Sequence, residues 1–436
     1  MSNLECFVKK MLENGLNKKT IQVFSHYYGQ FINGEKGKLS KIQITTPEPS
    51  QIINYNELSN TNKDNLKKLA IIKLNGGLGT SMGLSKAKSL LPVKDKETFL
   101  DIISKQTLKM RKSFQIDLPL IFMNSFNTSE DTLDFLKKYP DIEVPGFSLD
   151  FVQNMFPKIR KEDFKPLECS NETLNWNPPG HGDIYNAMSE TGLLKNLLDK
   201  GFEYIFVSNS DNLGAVVDTK ILNKLIDEKI DFAMEVCIRT DMDKKGGHLA
   251  STNEGKLILR EVAQCPENEI EEFQNIDVYK YFNTNNLWIN LRALQSKLDE
   301  YEGVLPLPLI LNEKKVENIP VYQFETAMGA AILIFNKSKA ICVPRNRFLP
   351  VKKNQDLLLL WSDSYELDND FVLSKKEGAK DTILELDNEF YGNIDQLKEA
   401  CEDGVPSLFD CEFLKVSGFV KFNKNQIFKG RVFIES

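Results

Sequence analysis

Apolar and polar residues alternate differently in successive parts of this chain. From residue 69, short apolar runs typical of buried β-strands alternate with stretches whose apolar residues recur at helical spacing. The predicted strands are "LAIIKLN", "LPLIFMN", "LDFVQN", "YIFVSNSD", "DFAMEVCI", "KLILREVA" and "KAICVP". The predicted helices are "TFLDIISKQTLKMR", "DTLDFLKKY", "DIYNAMSETGLLKNLLDKG" and "DTKILNKLIDEK". This alternation, which continues for about 280 residues until the pattern changes near residue 370, predicts an α/β fold with a doubly wound sheet.

The two ends of the chain have other patterns. In "LECFVKKMLENG", Leu4, Phe7, Met11 and Leu12 recur at helical spacing, so residues 1–45 are predicted to form helices and a polar loop. The last stretch, "CEFLKVSGFVKFNKNQIFKGRVFIES", has short apolar pairs between Gly, Asn and Lys, and no helical period. Such a pattern is compatible with a hairpin stack or β-solenoid and equally with a small antiparallel sheet.

Composition excludes several classes of protein. A chain of 436 residues predicts two or three domains, and a net charge of −7 argues against a nucleic-acid-binding protein. No segment approaches the ~20 apolar residues of a membrane span, and the N-terminus has no secretory signal. Seven cysteines, an odd number, favour reduced thiols in the cytoplasm. Because no C-x-x-C spacing occurs and only three histidines are present, the sequence gives no zinc signature.

One glycine-rich loop indicates phosphate binding. Residues 73–91, "KLNGGLGTSMGLSKAKSLL", place an apolar strand before several glycines and two lysines. Glycines allow backbone N–H groups to approach an anion, which the lysines would attract. The spacing fits neither a P-loop nor a dinucleotide fingerprint, because no glycine directly precedes a lysine and the third glycine of G-x-G-x-x-G comes one residue late.

Polar residues also follow the other predicted strands, where ligands bind in a doubly wound sheet. Gln153, Asn209 and Asp211 lie at such ends, and His181 lies between two glycines in "PPGHG". Each feature alone also has a structural interpretation. Asp211 alone could cap a helix, the glycine pair could form a tight turn, and Glu325 could be an acid in the first turn of a helix.

The order of the motifs is more specific than any one of them. "KLNGGLGTSMG", "FVQNMFPKI", "PPGHGDIY", "SNSDNLGA", "KGG", "FNTNNLW", "ETAMGAAI" and "VPRNRFLPVKKNQDLLLL" follow one another along the chain. This series resembles the eukaryotic UTP–glucose-1-phosphate uridylyltransferases (UDP-glucose pyrophosphorylases), from about residue 45 to 365. The resemblance implies a Rossmann-like nucleotidyltransferase core with a doubly wound mixed sheet and a C-terminal β-helix domain. It divides the chain into an N-terminal helical segment (1–45), a catalytic domain (46–368) and the β-helix domain (369–436).

The resemblance also implies a role for individual residues. Lys352 and Lys88 would be catalytic, and Asp211 would bind Mg2+. The implied nucleotide-binding residues are Leu74, Asn75, Gly76, Gly77, Lys88, Gln153, Gly180, Asn209, Asp211 and Lys352. Among them Gln153 and Gly180 would read uracil, since a side-chain amide can both donate and accept. The implied sugar-phosphate-binding residues are His181, Gly247, Asn286 and Glu325.

The implied reaction joins UTP and glucose 1-phosphate to give UDP-glucose and pyrophosphate, with Mg2+ as cofactor. A phosphate monoester is already ionised at pH 7, so no general base is needed. A single aspartate is a sufficient protein ligand for Mg2+, which often takes one or two carboxylates plus phosphate oxygens. No nucleic acid or membrane partner is expected, and homo-oligomers through the C-terminal domain are left open. Because every motif precedes residue 370, we expect the tail to be dispensable for the chemistry.

The chain departs from the commonest family pattern in two places. Many relatives have Gly-Pro-Lys where this chain has Lys86-Ala87-Lys88, and Asn-Ile-Asp or Asn-Val-Asp where it has Asn209-Ser210-Asp211. Two alternative functions stay open. One is a uridylyltransferase of broader or N-acetylhexosamine specificity, although relatives of the latter type carry arginine where this chain has Ser81. The other is a non-catalytic sugar-nucleotide-binding protein, which would not need Lys88, Asp211 and Lys352 together.

Overall fold

The structure is a computed structural model that describes residues 2–435. Its residues form two compact units, each assembled from three separate stretches of the chain. Unit 1 comprises Met1–Ile72, Phe151–Val207 and Asp218–Pro344. Unit 2 comprises Lys73–Asp150, Ser208–Val217 and Arg345–Ser436.

The α-helices are short and numerous. They are α1 (Asn3–Glu13), α2 (Lys18–Ile32), α3 (Phe99–Phe114), α4 (Ser129–Leu136), α5 (Ile184–Glu190), α6 (Leu193–Asp199), α7 (Thr219–Glu228), α8 (Ile270–Phe273), α9 (Leu291–Glu300), α10 (Asn354–Trp361), α11 (Asn388–Tyr391) and α12 (Ile394–Ala400).

The strands are β1 (Ile44–Thr45), β2 (Ile52–Asn54), β3 (Leu69–Asn75), β4 (Pro92–Lys94), β5 (Glu97–Thr98), β6 (Leu120–Asn124), β7 (Asp150–Val152), β8 (Phe156–Pro157), β9 (Ile159–Arg160), β10 (Trp176–Asn177), β11 (Tyr204–Asn209), β12 (Phe232–Ile238), β13 (His248–Thr252), β14 (Leu257–Arg260), β15 (Tyr281–Asn290), β16 (Ile310–Val316), β17 (Ile319–Glu325), β18 (Ser338–Cys342), β19 (Tyr365–Leu367), β20 (Leu373–Lys375), β21 (Ile383–Leu386), β22 (Ser407–Ser417) and β23 (Ile427–Glu435).

Most predicted strands and helices are confirmed. The run "LAIIKLN" is β3, and the other predicted strands correspond to β6, β7, β11, β12, β14 and β18. The helix predicted over "DIYNAMSETGLLKNLLDKG" is two helices, α5 and α6. They are separated at Gly192, whose φ of +77° interrupts the helical path. Strand–helix alternation is therefore confirmed, and the fold is of the mixed α/β class.

Unit 1 contains a mixed sheet. Its strands follow the order β2-β18-β12-β15-β11, in which β2, β18 and β12 are parallel and β15 is antiparallel to both β12 and β11. The register between β12 and β15 shifts beside Glu235, so that Asn286 pairs with Glu235 while Asn283 pairs with Val236. Residues 284–285 therefore form a bulge, and Asn285 has a φ of +58°. Such a bulge re-aims the side chains beside it.

The N-terminal helices α1 and α2 pack in unit 1 on an aromatic cluster. The Phe24 ring lies 5.0 Å from Phe7, 5.4 Å from Phe156 and 5.7 Å from Phe324. Both helices are thus anchored by apolar contacts to the strands β8 and β17, which supply Phe156 and Phe324. Burial of aromatic side chains of this size is a large contribution to stability.

In unit 2, the last strands of the chain pair in parallel. Strand β22 pairs with β21 on one side and with β23 on the other, and both pairs are parallel. An ordinary antiparallel sheet, which the sequence pattern also allowed, is therefore excluded for these residues.

Strand β6 is buried at all five positions, in agreement with its continuous apolar run.

Candidate active site

In unit 2, the end of β3 holds the first part of the glycine loop. The Asn75 side chain is buried, and its amide donates to Asn124 Oδ1 at 2.9 Å and to Thr132 Oγ1 at 2.8 Å. The backbone of this segment is also hydrogen-bonded: Ser125 Oγ donates to the carbonyl of Gly76 at 3.0 Å, and Ser210 N donates to the carbonyl of Leu74 at 3.0 Å. The Asn75 side chain and the carbonyls of Leu74 and Gly76 are therefore committed to the protein, so a ligand here would contact backbone N–H groups of the loop.

The glycines of the loop have different roles. A Cβ at Gly77 would meet no atom within 4 Å, so the space beside its backbone is open. Gly79 has a φ of +64°, and a Cβ there would lie 2.7 Å from Leu84 Cδ1 and 3.3 Å from Lys88 Cβ. Lys88 N closes the loop by donating to the Gly77 carbonyl at 3.1 Å. A positive φ and the contact with Lys88 therefore favour glycine at position 79.

Lys88 and Asp211 form an ion pair in unit 2. Lys88 Nζ lies 2.6 Å from Asp211 Oδ2 and also donates to the Val351 carbonyl. Neither charged side chain is fully buried, with exposed fractions of 16% and 25%. Val351 N in turn donates to the Asp211 carbonyl at 3.2 Å. The predicted lysine and aspartate are therefore adjacent, and both contact the residue that precedes Lys352.

Lys352 is exposed, and its backbone is fixed by Asp356. The carboxylate oxygen Oδ2 of Asp356 accepts from the N–H of Lys352 at 2.7 Å and from that of Lys353 at 2.8 Å. Burial raises the pKa of Asp356, against the opposing effect of those backbone hydrogen bonds and of the Lys88 and Lys352 charges. Asp356 lies in the first turn of α10, so a helix terminus sets the direction of the segment that carries Lys352.

In unit 1, the "PPGHG" turn is fastened to the end of β17. Thr326 N donates to the Pro179 carbonyl at 2.8 Å, and Gly182 N donates to the Thr326 carbonyl at 2.9 Å. Gly180 has a φ of +79°, and a Cβ there would lie 2.5 Å from the Thr326 carbonyl oxygen and 3.0 Å from Glu325 Cβ. Only glycine fits at position 180. Glu325 is the last residue of β17 rather than an acid in a helix, and burial raises its pKa.

His181 is neutral, with its proton on Nε2. Met328 N donates to His181 Nδ1 at 2.9 Å, so Nδ1 is the acceptor nitrogen of the ring. Burial lowers the pKa of His181 to about 4. At pH 7 the ring therefore offers Nε2–H as a hydrogen-bond donor without carrying a positive charge.

Gln153 follows β7 in a turn that the neighbouring Asn154 holds in place. The Gln153 side-chain amide has no hydrogen-bond partner among residues 2–435. Asn154 donates through its backbone N–H to Asp183 Oδ2 at 2.6 Å and through its side chain to Asp183 Oδ1 at 3.0 Å. Burial raises the pKa of Asp183 to about 7, although both hydrogen bonds from Asn154 oppose this rise.

Asn286 and Gly247 lie beside the bulge of β15. The buried Glu235 accepts from Asn286 Nδ2 at 3.1 Å and from Trp288 Nε1 at 2.9 Å. Asn283 N donates to the Gly247 carbonyl at 3.1 Å.

The predicted site residues fall into two groups. Unit 2 contains Leu74, Asn75, Gly76, Gly77, Lys88, Asn209, Asp211 and Lys352, whereas unit 1 contains Gln153, Gly180, His181, Gly247, Asn286 and Glu325. Within unit 2, Lys88, Asp211 and the Lys352 segment are brought together. Within unit 1, the turn that carries Gly180 and His181 is hydrogen-bonded next to Glu325 at the end of β17.

Several supporting residues were not found from the sequence. They are Thr20, Asn154, Asp183, Glu235 and Asp356. Asp183 and Asp356 lie inside the motifs "PPGHGDIY" and "VPRNRFLPVKKNQDLLLL", so their position beside candidate residues was a usable signal. Thr20 carried no such signal, because it lies 134 residues from Asn154 in the sequence.

No ready-made metal cluster or membrane helix is present in the part of the chain that the structure describes. Residues 2–435 contain no group of three or more His, Cys, Asp or Glu side chains arranged to hold a metal ion. In the same range, no helix combines the length and apolarity needed to cross a membrane.

Comparison with known proteins decides the family. The sequence profile described as UTP–glucose-1-phosphate uridylyltransferase matches residues 21–429. The chain belongs to the UTP–glucose-1-phosphate uridylyltransferase family. A curated member from Solanum tuberosum is 40% identical over 443 residues, covering 99% of this chain and 91% of the relative. A Dictyostelium discoideum UTP–glucose-1-phosphate uridylyltransferase 2 is 36% identical, covering 97% of this chain and 85% of the relative.

Solved structures of this uridylyltransferase family share the fold. The UDP-glucose pyrophosphorylase of Leishmania major, solved in open and closed forms, is 41% identical and has a TM-score of 0.93, covering 100% of this chain and 95% of the other. A mutant of that enzyme in complex with UDP-glucose is 40% identical and gives the same TM-score over the same shares of both chains. The mixed α/β fold of this chain is therefore that of the UDP-glucose pyrophosphorylases.

Proposed function

We infer that this chain transfers the uridylyl group of UTP to glucose 1-phosphate, reversibly forming UDP-glucose and pyrophosphate. Identity of about 40% to uridylyltransferases over nearly the whole chain supports this function. The structural observation that carries it is the adjacency of Lys88, Asp211 and the Lys352 segment beside a glycine loop. A protein that only binds a sugar nucleotide has no need for two cations and a carboxylate in this arrangement.

The chemistry asks for alignment and charge neutralisation rather than a base. The phosphate of glucose 1-phosphate loses its second proton with a pKa of about 6, so it is a nucleophile at pH 7. Its attack on the α-phosphorus of UTP brings two polyanions together, and preorganised positive charge lowers that barrier. We assign this function to Lys88 and Lys352, which makes them the catalytic residues.

The nucleotide would be bound mainly by backbone groups and charges. We propose that Leu74, Asn75, Gly76 and Gly77 contact it through their backbones, because the Asn75 side chain is already hydrogen-bonded and the space beside Gly77 is open. Asn209, which ends β11 beside Asp211, would contact the ribose. Backbone N–H groups in glycine loops bind anions without the entropy cost of ordering side chains.

Gln153 and Gly180 are proposed to read uracil. The Gln153 amide, which is free of partners among residues 2–435, can donate to one edge atom of the base and accept from the next. Gly180 would contact the base through its backbone, in a turn whose close packing against Thr326 leaves no room for a Cβ.

Four residues of unit 1 are proposed for the sugar phosphate. His181 would donate from Nε2–H to the phosphate, and Asn286, whose Nδ2 donates to Glu235, would contact a glucose hydroxyl. Glu325 would accept a second hydroxyl, and Gly247 would offer backbone access. Hydrogen bonds of this kind discriminate sugars, because an unmatched hydroxyl leaves a polar group unpaired.

We propose Mg2+ as the cofactor, bound through Asp211. The donor chemistry fits, since Asp211 offers a hard carboxylate oxygen and the phosphates of UTP would supply the other ligands. The lack of a larger acidic cluster in residues 2–435 agrees with a metal that is held mostly by substrate oxygens. When bound, the ion would neutralise phosphate charge; Lys88 would hold the position of the Asp211 carboxylate.

The domain division is proposed as 1–45, 46–368 and 369–436, with the last a β-helix. Parallel pairing of β21, β22 and β23 supports the β-helix, since successive turns of such a coil stack in parallel. We also propose homo-oligomers through this domain, because the edge strand β23 exposes 62% of both Ile427 and Phe433. A cytoplasmic location is proposed from the seven cysteines, none of which forms a disulfide within residues 2–435.

A pyrophosphate-release assay over a panel of substrates tests the proposed function. Purified protein is given UTP, CTP, ATP or GTP with glucose, galactose or N-acetylglucosamine 1-phosphate. We expect the highest kcat/KM for UTP with glucose 1-phosphate, and a loss of about 1–3 kcal/mol for CTP because cytosine replaces an acceptor with a donor. Similar rates with several sugars would instead identify an enzyme of broad specificity, and no release with any pair would refute the activity.

A further inference from the structure

Asp183 is placed to organise base recognition without touching a substrate. Its side chain is buried, with 3% exposed, so it does not reach a ligand. Its two carboxylate oxygens accept separately from the backbone N–H of Asn154, at 2.6 Å, and from the side-chain amide of Asn154, at 3.0 Å. Asp183 also belongs to the turn that carries Gly180, so one carboxylate joins the two segments proposed to read uracil.

The network continues into the N-terminal helix α2. Thr20 Oγ1 lies 2.9 Å from Asn154 Oδ1 and 3.2 Å from each carboxylate oxygen of Glu190. The backbone N–H of Thr20 is held by Asn17, which caps α2. Both ends of the Asn154 amide are therefore bound, the nitrogen by Asp183 and the oxygen by Thr20, which fixes the orientation of that side chain.

Gln153 depends on this network because its turn lies outside regular secondary structure. Residues 153–155 belong to no helix or strand, and the Gln153 side chain has no partner among residues 2–435. The position of its amide is consequently set by its backbone, which continues directly into Asn154. A displacement of about 1 Å at a recognition residue costs affinity.

We propose that Asp183 and Thr20 are positioning residues that fix Asn154, and through it Gln153, so that helix α2 contributes to the selection of uracil. This inference rests on the proposed function, in which Gln153 reads the base. It assigns a substrate-recognition role to helix α2, which contributes none of the proposed contacts to UTP or glucose 1-phosphate.

Exchanging the two partners gives the sharpest test. In Asn154→Asp, two carboxylates face each other, so the turn should move. In the double variant N154D/D183N, the new amide at position 183 offers one donor and one acceptor to position 154, and Thr20 can still donate to the new carboxylate there. The swap therefore restores the two hydrogen bonds between positions 154 and 183 with the two side chains reversed. Asp183→Ala removes the carboxylate altogether. Thr20→Val removes only the Thr20 hydroxyl, with its hydrogen bonds to Asn154 and Glu190, and keeps nearly the same side-chain volume, so it serves if the other variants fold poorly.

We measure KM for UTP and for glucose 1-phosphate, kcat, and the ratio of kcat/KM between UTP and CTP. For N154D and D183A we expect KM for UTP to rise about tenfold and the UTP:CTP ratio to fall, as for loss of one buried hydrogen bond. KM for glucose 1-phosphate should stay within about twofold. The swap variant should return KM for UTP to within about threefold of the wild type, and T20V should show a smaller shift in the same direction.

A matched control separates positioning from general destabilisation. Asn290→Ala removes the side chain that caps α9 by accepting from Ala293 N at 2.9 Å. Asn290 is the last residue of β15 and belongs to neither segment proposed to read uracil. This variant should melt at a lower temperature with an unchanged UTP:CTP ratio. The inference is overturned if N154D keeps the wild-type KM and ratio, if both substrates lose affinity equally, or if the swap regains stability but not selectivity.

Failure of the proposed function gives a different result. A wild-type protein that binds UTP in preference to CTP by titration calorimetry, yet releases no pyrophosphate, refutes the activity; the same variants then test the inference through binding alone. A wild-type protein that binds both nucleotides equally refutes the role of Gln153 and the inference with it.

Discussion

At the scale of single residues, backbone groups help to position the charges of the candidate site, alongside the Lys88–Asp211 ion pair. Lys88 contacts the Val351 carbonyl as well as Asp211, and Asp356 binds two backbone N–H groups. Backbone partners fix a charged group in position without cancelling its charge. Lys352 follows this arrangement, because its backbone is anchored while its ammonium group is exposed to solvent.

Lys352→Ala should remove a charge that is used in the transition state. We expect kcat to fall about 10²–10³-fold, or roughly 3–4 kcal/mol, with KM for glucose 1-phosphate less affected. Lys352→Arg should recover only part of the rate, because the guanidinium is planar and longer than the ammonium. Steady-state kinetics on variants with checked melting temperatures measures this.

Lys353→Ala is the matched control for Lys352. Its backbone N–H donates to the same Asp356 oxygen, and its side chain is also exposed. It should retain most of the wild-type kcat. A folded K352A enzyme with more than about half of the wild-type kcat would remove Lys352 from the mechanism.

His248 makes stability depend on pH. It is buried between Tyr279 and Phe273, at 4.0 and 4.7 Å, and neither ring nitrogen has a hydrogen-bond partner within residues 2–435. Burial, followed by the Arg239 and Arg260 charges, lowers the pKa of His248 to about 3 from an ordinary 6.5. Between these values the unfolded chain binds the extra proton, so folding stability is lost as the pH falls below 6.5.

The expected result is a difference between two stability curves. His248→Phe removes this proton, so its free energy of unfolding should gain about 1.4 kcal/mol relative to the wild type for each pH unit below about 6.5. His181 contributes with the same sign and Asp183 with the opposite sign, but both are present in both proteins and cancel. Urea denaturation of both proteins at several pH values measures this difference in the free energy of unfolding. A difference that does not change with pH would contradict the lowered pKa of His248.

At the scale of elements, apolar strands were predictable and polar ones were not. Strand β3 agrees with its prediction at both ends, because a run of buried apolar residues is readable from sequence alone. Strand β15 was not predicted as a strand, since "FNTNNLW" is largely polar and is interrupted by a bulge. Its polar side chains are satisfied by Glu235 and by one another, and such pairing depends on tertiary contacts.

The loop that lacks the relatives' proline is nevertheless close to a proline-like backbone. Ala87 has a φ of −53°, within the range that proline imposes, and its N–H donates to Asp131 at 3.4 Å. The hydrogen bond from Ala87 to Asp131 therefore restrains the backbone at the position where many relatives have a proline ring. The departure from the family pattern leaves the path of the loop compatible with a proline at position 87.

Gly79→Ala should disturb the loop through Lys88. Besides the cost of a positive φ, about 1–2 kcal/mol, the new Cβ would press on Leu84 and Lys88. We expect kcat/KM for UTP to fall about tenfold. Gly255→Ala is the control, because Gly255 has a φ of +79° and no atom within 4 Å of a Cβ. It should lower the melting temperature and leave the kinetics unchanged; equal effects of both substitutions on kcat/KM would contradict the role of the loop.

At the scale of the whole molecule, the order of motifs identified the family, and the roles that it implied for individual residues stay predictions. The supporting network was beyond sequence reasoning, because its hydrogen bonds join residues far apart in the chain, such as Thr20 and Asn154. Propensity and periodicity describe only local neighbours, so long-range polar contacts need the folded structure.

The tail gives a prediction that differs from the one based on sequence. Asn354 Nδ2 donates to the Tyr391 carbonyl at 2.9 Å, and Gln355 Nε2 donates to the Leu384 carbonyl at 2.7 Å. The tail thus supports α10, whose first turn fixes Lys352. We expect a protein that ends at residue 370 to melt at a lower temperature and to lose kcat, because α10 would lose these partners. Circular dichroism and kinetics would contradict this expectation if both match the full chain.

The most direct test of the account is the stoichiometry of a single reaction. Purified protein with UTP, glucose 1-phosphate and Mg2+ is sampled over time for UDP-glucose and pyrophosphate, alongside Asp211→Asn and a sample with a chelator. We predict equal amounts of both products from the wild type, and strongly reduced formation of both in the variant and after chelation. Release of inorganic phosphate, or of pyrophosphate without UDP-glucose, would contradict uridylyl transfer, and an unchanged Asp211→Asn rate would show that another group holds the metal.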